Sequence, residues 1–140
     1  MSEAKRIDLA GLRVSASESE VFELELLHPG DQSPLGAYVG IIGQDSAEYR
    51  ARQREFDREH LRAYQKKRNW IMTPEESDAQ AIELLVSATK SFRGLVLEGR
   101  DVDVSMARAI YADPGYSWIR EQVAAAMQDR NNFLPKGAKA

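Results

Sequence analysis

Residues 73–94 read TPEESDAQAIELLVSATKSFRG, and the class of the fold turns on how this stretch folds. Thr73-Pro74-Glu75-Glu76 has the form of a capping box, in which Thr73 accepts the N–H of Glu76 and Glu76 reaches back to Thr73. Pro74 falls at the first helical position, where no N–H is needed. Ala79, Ile82, Leu85, Val86, Thr89 and Phe92 then lie on one broad face at helical spacing, and Gly94 stops the run. The expectation is a central core helix reaching about residue 92.

Upstream, Val21-Phe22-Glu23-Leu24-Glu25-Leu26-Leu27 alternates Phe22, Leu24 and Leu26 with Glu23 and Glu25, the period-two pattern of a strand with one wet face. His28-Pro29-Gly30-Asp31 punctuates the chain, and Ala37-Tyr38-Val39-Gly40-Ile41-Ile42-Gly43 supplies a second β-prone run, so an antiparallel pair is expected. Asp45 or Ser46 caps a helix over residues 47–67, which has no Gly or Pro and only a thin apolar stripe of Tyr49, Phe56, Ala63 and Tyr64. Such a helix belongs on a surface, with Glu48 to Arg52, Glu55 to Arg58 and Glu59 to Arg62 spaced as charge pairs.

Downstream, Leu95-Val96-Leu97, Glu98-Gly99-Arg100-Asp101 and Val102 to Val104 read as a turn or short hairpin. Ser105 caps a short helix through Tyr111, and Asp113-Pro114-Gly115 breaks the chain. Residues 117–131 place Trp118, Ile119, Gln122, Val123, Ala126 and Met127 on one face of a strongly amphipathic helix, which Phe133 and Leu134 extend. The sum is a single α+β domain, mainly helical, in which an N-terminal antiparallel β-pair packs with about four helices. It spans residues 21–134. A flexible arm at 1–20 precedes it, anchored only by Ile7, Leu9, Leu12 and Val14, and a disordered tail follows at 135–140.

The chain has 140 residues, 43% hydrophobic and 29% charged, which suits one modest core. No stretch is long and apolar enough to span a bilayer, and MSEAKRIDLAG has no signal-peptide core, so a cytoplasmic location is expected and no membrane partner. Zero cysteines exclude disulfides, thiolate zinc sites and cysteine nucleophiles. A net charge of -3 offers no global attraction to nucleic acid.

Motifs for chemistry are sparse. His28 and His60 have no second ligand at metal-like spacing, and read as structural. Asp101 and Asp103 alternate with Val102 and Val104, either as a wet strand face or as two oxygens of a cation site, with too few ligands for a calcium loop. No serine has a Gly-x-Ser-x-Gly context, and no glycine run matches a phosphate or dinucleotide fingerprint. Neither catalysis nor a cofactor is expected. Arg50, Arg52, Arg54, Arg58, Arg62, Lys66, Lys67 and Arg68 form a local basic bias, with Tyr64 and Trp70 available for stacking. Glu48, Glu55, Asp57 and Glu59 are interleaved with these cations, as on a solvated helix face, so nucleic acid is not the expected partner.

Several segments, in order, resemble the small tail assembly chaperones encoded beside the tape-measure gene in siphophages and related prophages. They are Ile41-Ile42-Gly43-Gln44-Asp45-Ser46-Ala47-Glu48-Tyr49, then Pro74-Glu75-Glu76 through Leu84-Leu85 to Ser91-Phe92-Arg93-Gly94-Leu95. The last are Trp118-Ile119-Arg120-Glu121-Gln122-Val123 and Asp129-Arg130-Asn131-Asn132-Phe133. The resemblance implies a non-catalytic protein that holds the aggregation-prone tape-measure protein, recruits major tail protein to it, and is absent from the mature virion. It also implies a longer frameshifted form, for which Leu134-Pro135-Lys136 is compatible with a C-CCA-AAG slippery heptamer. The alternatives are a basic-helix nucleic-acid-binding regulator and a structural head or tail protein of the virion.

The candidate partner-binding residues are Trp118, Ile119, Val123, Met127 and Phe133. Trp118 is expected deepest in the core. Met127 and Phe133 are expected to supply surface shared with the tape-measure protein or with a second copy.

Overall fold

The computed structural model describes residues 6–14 and 21–134. Strands β1 (Phe22–Leu27) and β2 (Pro34–Ile41) form the expected antiparallel pair, with Leu24 opposite Val39 and Glu23 opposite Gly40. Alternation in β1 buries Leu26 fully and leaves Glu23 exposed. β2 is buried over its latter part, at Ala37, Val39, Gly40 and Ile41, because it is the central strand of three and not half of a pair.

The third strand comes out of the stretch read above as one helix. Helix α2 (Pro74–Ala88) has the full capping box, but it ends short of Phe92, and β3 (Thr89–Arg93) runs antiparallel to β2. Thr89 makes the change of direction without glycine or proline. Its N–H donates to the Leu85 and Val86 carbonyls and its Oγ1 donates to the Leu85 carbonyl at 2.8 Å, so the last helical acceptors are satisfied without another turn. Helical spacing of Val86, Thr89 and Phe92 disguises a strand whose stabilising partner, the second edge of β2, is remote in sequence.

Helix α1 (Ala47–Lys66) is capped by Ser46 and contains no buried residue. Half-buried Tyr49, Arg52, Phe56, His60 and Ala63 recur at helical spacing, on the side that packs against α2. The expected pairings along this helix do not form: Glu48 bonds Lys90 of β3 at 2.5 Å, and Arg52 bonds Glu55 at 2.7 Å and approaches Glu83 of α2 at 4.0 Å. Glu48 and Arg52 thus turn toward partners on β3 and α2 that the packed backbone holds in place, while Arg52 also keeps one pairing along α1, with Glu55.

After β3 comes the hairpin of β4 (Val96–Leu97) and β5 (Arg100–Asp101), as expected. Asp103, not Ser105, caps the next turn, a 3-10 segment Val104–Met106 that leads into α3 (Ala107–Ala112). Asp103 accepts from both the N–H and the hydroxyl of Ser105, which gives this carboxylate a structural role. A 3-10 turn Pro114–Tyr116 leads to α4 (Ser117–Gln128), which stops before the expected residue 131 because Asp129 caps a further 3-10 turn, Arg130–Phe133. Helices α2, α3 and α4 pack on one another, and α4 also meets β1 and β2. The core joins Leu26, Val39, Ile41 and Ile42 of the sheet region to Leu85, Ile110, Tyr111, Val123 and Met127 of the helices.

Of the expected N-terminal arm, residues 9–12 form a 3-10 turn with Ile7 and Leu9 exposed, and Val14 packs on the core. Residues 1–5 and 15–20 of that arm, and the expected tail 135–140, lie outside the described residues.

Candidate protein-binding cleft

The hairpin β4–β5 makes one wall of an apolar cleft. Leu97 and Arg100 pair across Glu98 and Gly99, whose φ values of 51° and 82° make the tight turn that suits the twist of two short strands. The Val102 N–H donates to the Leu95 carbonyl at 3.0 Å and closes the hairpin base. Gly94 (φ 84°) swings the hairpin away from the sheet, and a Cβ there would come within 2.9 Å of the Gly36 carbonyl oxygen. Two residues per strand cannot cover both faces of a hairpin. Val102 is therefore buried below it while Val96 stays 64% exposed.

The opposite wall is the entry to α4. Asp113 accepts the Gly115 N–H at 2.8 Å, and the turn it holds brings Tyr116, Trp118 and Ile119 to face the hairpin, with Ile110 of α3 also in the lining. The space between the walls is open on one side and about 220 Å³ in volume, and its lining is apolar and aromatic, without a charged side chain. Such a space accepts a large apolar side chain and offers it no chemistry.

Behind the cleft, Tyr111 is buried with its hydroxyl 2.7 Å from Thr89 Oγ1. Burial pushes the Tyr111 pKa up to about 12, a rise that its hydrogen bond to Thr89 only partly offsets. On the far side of the molecule, Arg130 Nε reaches Asp45 at 2.7 Å and holds that carboxyl below the usual range. Arg108 does the same for Glu83 at 2.5 Å.

The structure reverses the expected roles of the candidate residues. Trp118 is only partly buried and lines the cleft, while Met127 and Phe133, expected at a shared surface, are 3% and 6% exposed. Phe133 packs edge-on against Phe22, with ring centres 6.1 Å apart, and lies under Gly43, where a Cβ would come within 2.9 Å of its ring. Ile119 is buried but reaches the cleft wall, and Val123 is wholly inside. The 3-10 turn that follows α4 accounts for Phe133, because it folds that ring back under the β2–α1 connection. Sequence reasoning missed Ile110 and Tyr116. It noted Val96, Leu97 and Val102 only as a hairpin, and Leu95 there and at the end of a resembling segment, although an apolar triplet beside a two-residue turn signals a surface that needs cover.

Among the other candidates, His28 Nδ1 accepts the Gly30 N–H at 2.9 Å, and His60 is tilted against Trp70 at 5.4 Å, so both rings have structural partners. Asp101 is exposed in β5. No group of three or more His, Asp or Glu is close enough to hold a metal among the described residues. Among them, too, no helix is long and apolar enough to cross a membrane.

Comparison of the chain with protein families, with curated proteins and with solved structures finds no match. Within this chain the segments that carry the resemblance meet in pairs. Leu95 faces Trp118 and Ile119 across the cleft. The segment from Ile41 to Tyr49 meets the one from Asp129 to Phe133 through the Asp45–Arg130 bridge and the Gly43–Phe133 contact. The second pairing is a fastening of α4 to the body, and only the first leaves open apolar surface.

Proposed function

We propose that this protein is a tail assembly chaperone of a long-tailed phage or prophage, which binds the tape-measure protein and recruits major tail protein without catalysis. The observation that supports this most is the cleft between the β4–β5 hairpin and α4: it is open, apolar and uncharged, and Trp118, Ile119 and Leu95 from the resembling segments line it. A chaperone for a long helical client needs reversible apolar contacts that leave the client chemically unchanged. A shallow cleft for a leucine or phenylalanine side chain supplies one such contact, and many copies along one client supply avidity. The place of action expected on this reading is the host cytoplasm.

Co-expression with the long helical reading frame that this reading expects beside the gene tests it. The wild-type protein should keep that client soluble and co-purify with it. Val96→Asp, which places a charge at the 64% exposed rim, should abolish co-purification while the thermal midpoint stays within about 2 °C of wild type. A client equally insoluble with and without the protein, or binding indifferent to Val96→Asp, would overturn it.

A further inference from the structure

β1 is an edge strand, and a groove between it and α4 runs along its open side. The direction of its main-chain groups is fixed at one end. The Leu27 N–H donates to Gln122 Oε1 at 2.8 Å and the Leu27 carbonyl accepts from Gln122 Nε2 at 2.9 Å, so both groups point away from β2 and toward α4. His28, one residue on, turns the other way and donates to the Ser33 carbonyl at 2.8 Å. An antiparallel strand turns successive residues to opposite neighbours, so the main-chain groups of Glu25 and Glu23 share the outward direction of Leu27. Phe22 and Leu24, opposite Ile41 and Val39, then carry the ladder to β2. Among the described residues, none bonds the main chain of Glu23 or Glu25 on the outward side. Gln122 stands where a fourth strand would begin, since its amide presents one donor and one acceptor to Leu27, as a neighbouring strand's peptide groups do.

The groove has room for the side chains of such a strand. Leu24, Leu27 and Ala125 give it apolar walls, in a space of about 350 Å³, and Glu25 and Asp129 stand at it. Glu25 accepts the Gly36 N–H and Asp129 the Asn131 N–H, and neither carboxylate has an ion-pair partner among the described residues. Glu23 lies on the same face of β1 as Glu25 and is bridged to Arg93 at 2.7 Å.

We infer that the outer edge of β1 receives an extended peptide of a partner protein as a fourth strand, with side chains alternately apolar and basic. A residue opposite Leu24 turns its side chain into the groove against Leu24 and Ala125, and residues opposite Glu23 and Glu25 stand beside those carboxylates on the other face. Main-chain bonds supply affinity for any extended segment, and the alternation supplies the preference. The β1 of a second copy does not fit, because edge-to-edge pairing sets Glu23 and Glu25 of one molecule against the same carboxylates of the other. This surface is separate from the cleft beside the β4–β5 hairpin, so the inference goes beyond the function proposed above and stands without it.

Titration of the full chain with an acetylated, amidated Lys-Val repeat of about eight residues, followed by amide NMR shifts, tests it. Shifts should saturate at Glu23–Leu27 and Gln122–Asp129 with a Kd on the order of 100 μM. Only one edge of the peptide meets β1. N-methylation of all the lysine amides and N-methylation of all the valine amides should therefore differ at least tenfold, one set abolishing binding and the other sparing it. The methylated pair is read on the wild-type chain and needs no variant. A Glu-Val repeat should bind at least tenfold more weakly than Lys-Val. Glu25→Pro deletes one outward N–H and leaves the donors that face β2, so it should lose binding with wild-type circular dichroism. Val96→Asp should bind the peptide like wild type, which separates this outcome from the cleft's. Shifts confined to other surfaces, equal binding of the two methylated peptides, or a Glu-Val repeat that binds as tightly would overturn the inference. So would self-association of the wild-type chain that Glu25→Pro abolishes, since the edge would then belong to a second copy.

Discussion

Tyr111 shows how a single residue ties the sheet to the helices. Its ring is fully enclosed and its hydroxyl donates to Thr89 Oγ1, whose own proton goes to the Leu85 carbonyl, at the point where α2 becomes β3. Burial raises its folded-state pKa to about 12, from 10.0. For a group that is neutral when protonated, the raised value means that stability is fully present below the ordinary tyrosine range and is lost as pH climbs from about 10 toward 12. One tyrosine should therefore ionise together with alkaline unfolding, and the loss at that site is about 2 to 3 kcal/mol. Absorbance at ~295 nm and circular dichroism, followed through the same titration, check it. Tyr111→Phe should remove the late ionisation and cost about 1 to 2 kcal/mol at neutral pH, since Thr89 still donates to Leu85. A second residue-scale expectation follows from the reversal at α4. Phe133→Ala, in the core, should cost about 3 to 5 kcal/mol, whereas Trp118→Ala at the cleft wall should cost less. Urea denaturation of the pair decides the order.

At the scale of elements, the α1–α2 hairpin is capped well and packed lightly. Thr73→Ala removes the half of the capping box that the Thr73 hydroxyl accepts, leaving the backbone N–H of residue 73 to Glu76, and should cost about 1 kcal/mol, felt locally. Hydrogen exchange should quicken in the first turns of α2 while amides of β2 keep their protection. Uniform quickening would mean that the outer hairpin is integral to the cooperative core. Along α1, Arg50, Arg54, Arg58 and Arg62 are exposed and without ion pairs among the described residues, which revives the question of nucleic acid that interleaved acids had answered at the level of sequence. Changing all four to Gln should leave DNA affinity negligible, as in the wild type. Micromolar, salt-steep binding that disappears in the variant would reassign this helix.

Over the whole molecule, cross-element bridges fasten the helices to each other and the C-terminal turn to the β2–α1 connection: Glu83 with Arg108, Asp78 with Arg120 and Asp45 with Arg130. Hydrogen bonds from the arginines lower the pKa of Asp45 and Glu83. A lowered carboxylate pKa stabilises above the ordinary range and ceases to do so as pH falls below about 4. The thermal midpoint should accordingly be flat from about pH 5 to 8 and decline below about 4, and Asp45→Asn should make that acid limb shallower. An unchanged limb would place acid sensitivity elsewhere. This variant should also loosen the 3-10 turn under which Phe133 sits, because Arg130 anchors it.

Much of the fold is written in short-range chemistry. The capping box at Thr73, the alternation in β1, the Ser46 cap, the Glu98-Gly99 turn and the amphipathic face of α4 each rest on neighbours a few residues apart. They were legible for that reason, and with them the mainly helical α+β class. Three things depended on partners remote in the chain. Thr89–Arg93 is a strand only because β2 presents a second edge, an energy that helical spacing at 86, 89 and 92 conceals. Phe133 is core because Asp129 ends α4 and Arg130 binds Asp45, which folds the terminus inward, and Met127 is core while Trp118 is cleft wall because of which elements meet each end of α4; an apolar stripe states how much surface must be covered and not by what. The cleft exists only where a short hairpin from one end of the helical layer meets the start of α4 at the other. The sequence alone thus determined which elements form and which faces are apolar, because those depend on local dihedrals and periodicity. Tertiary structure alone decided which apolar surface stays open, because that depends on which remote elements arrive to cover it.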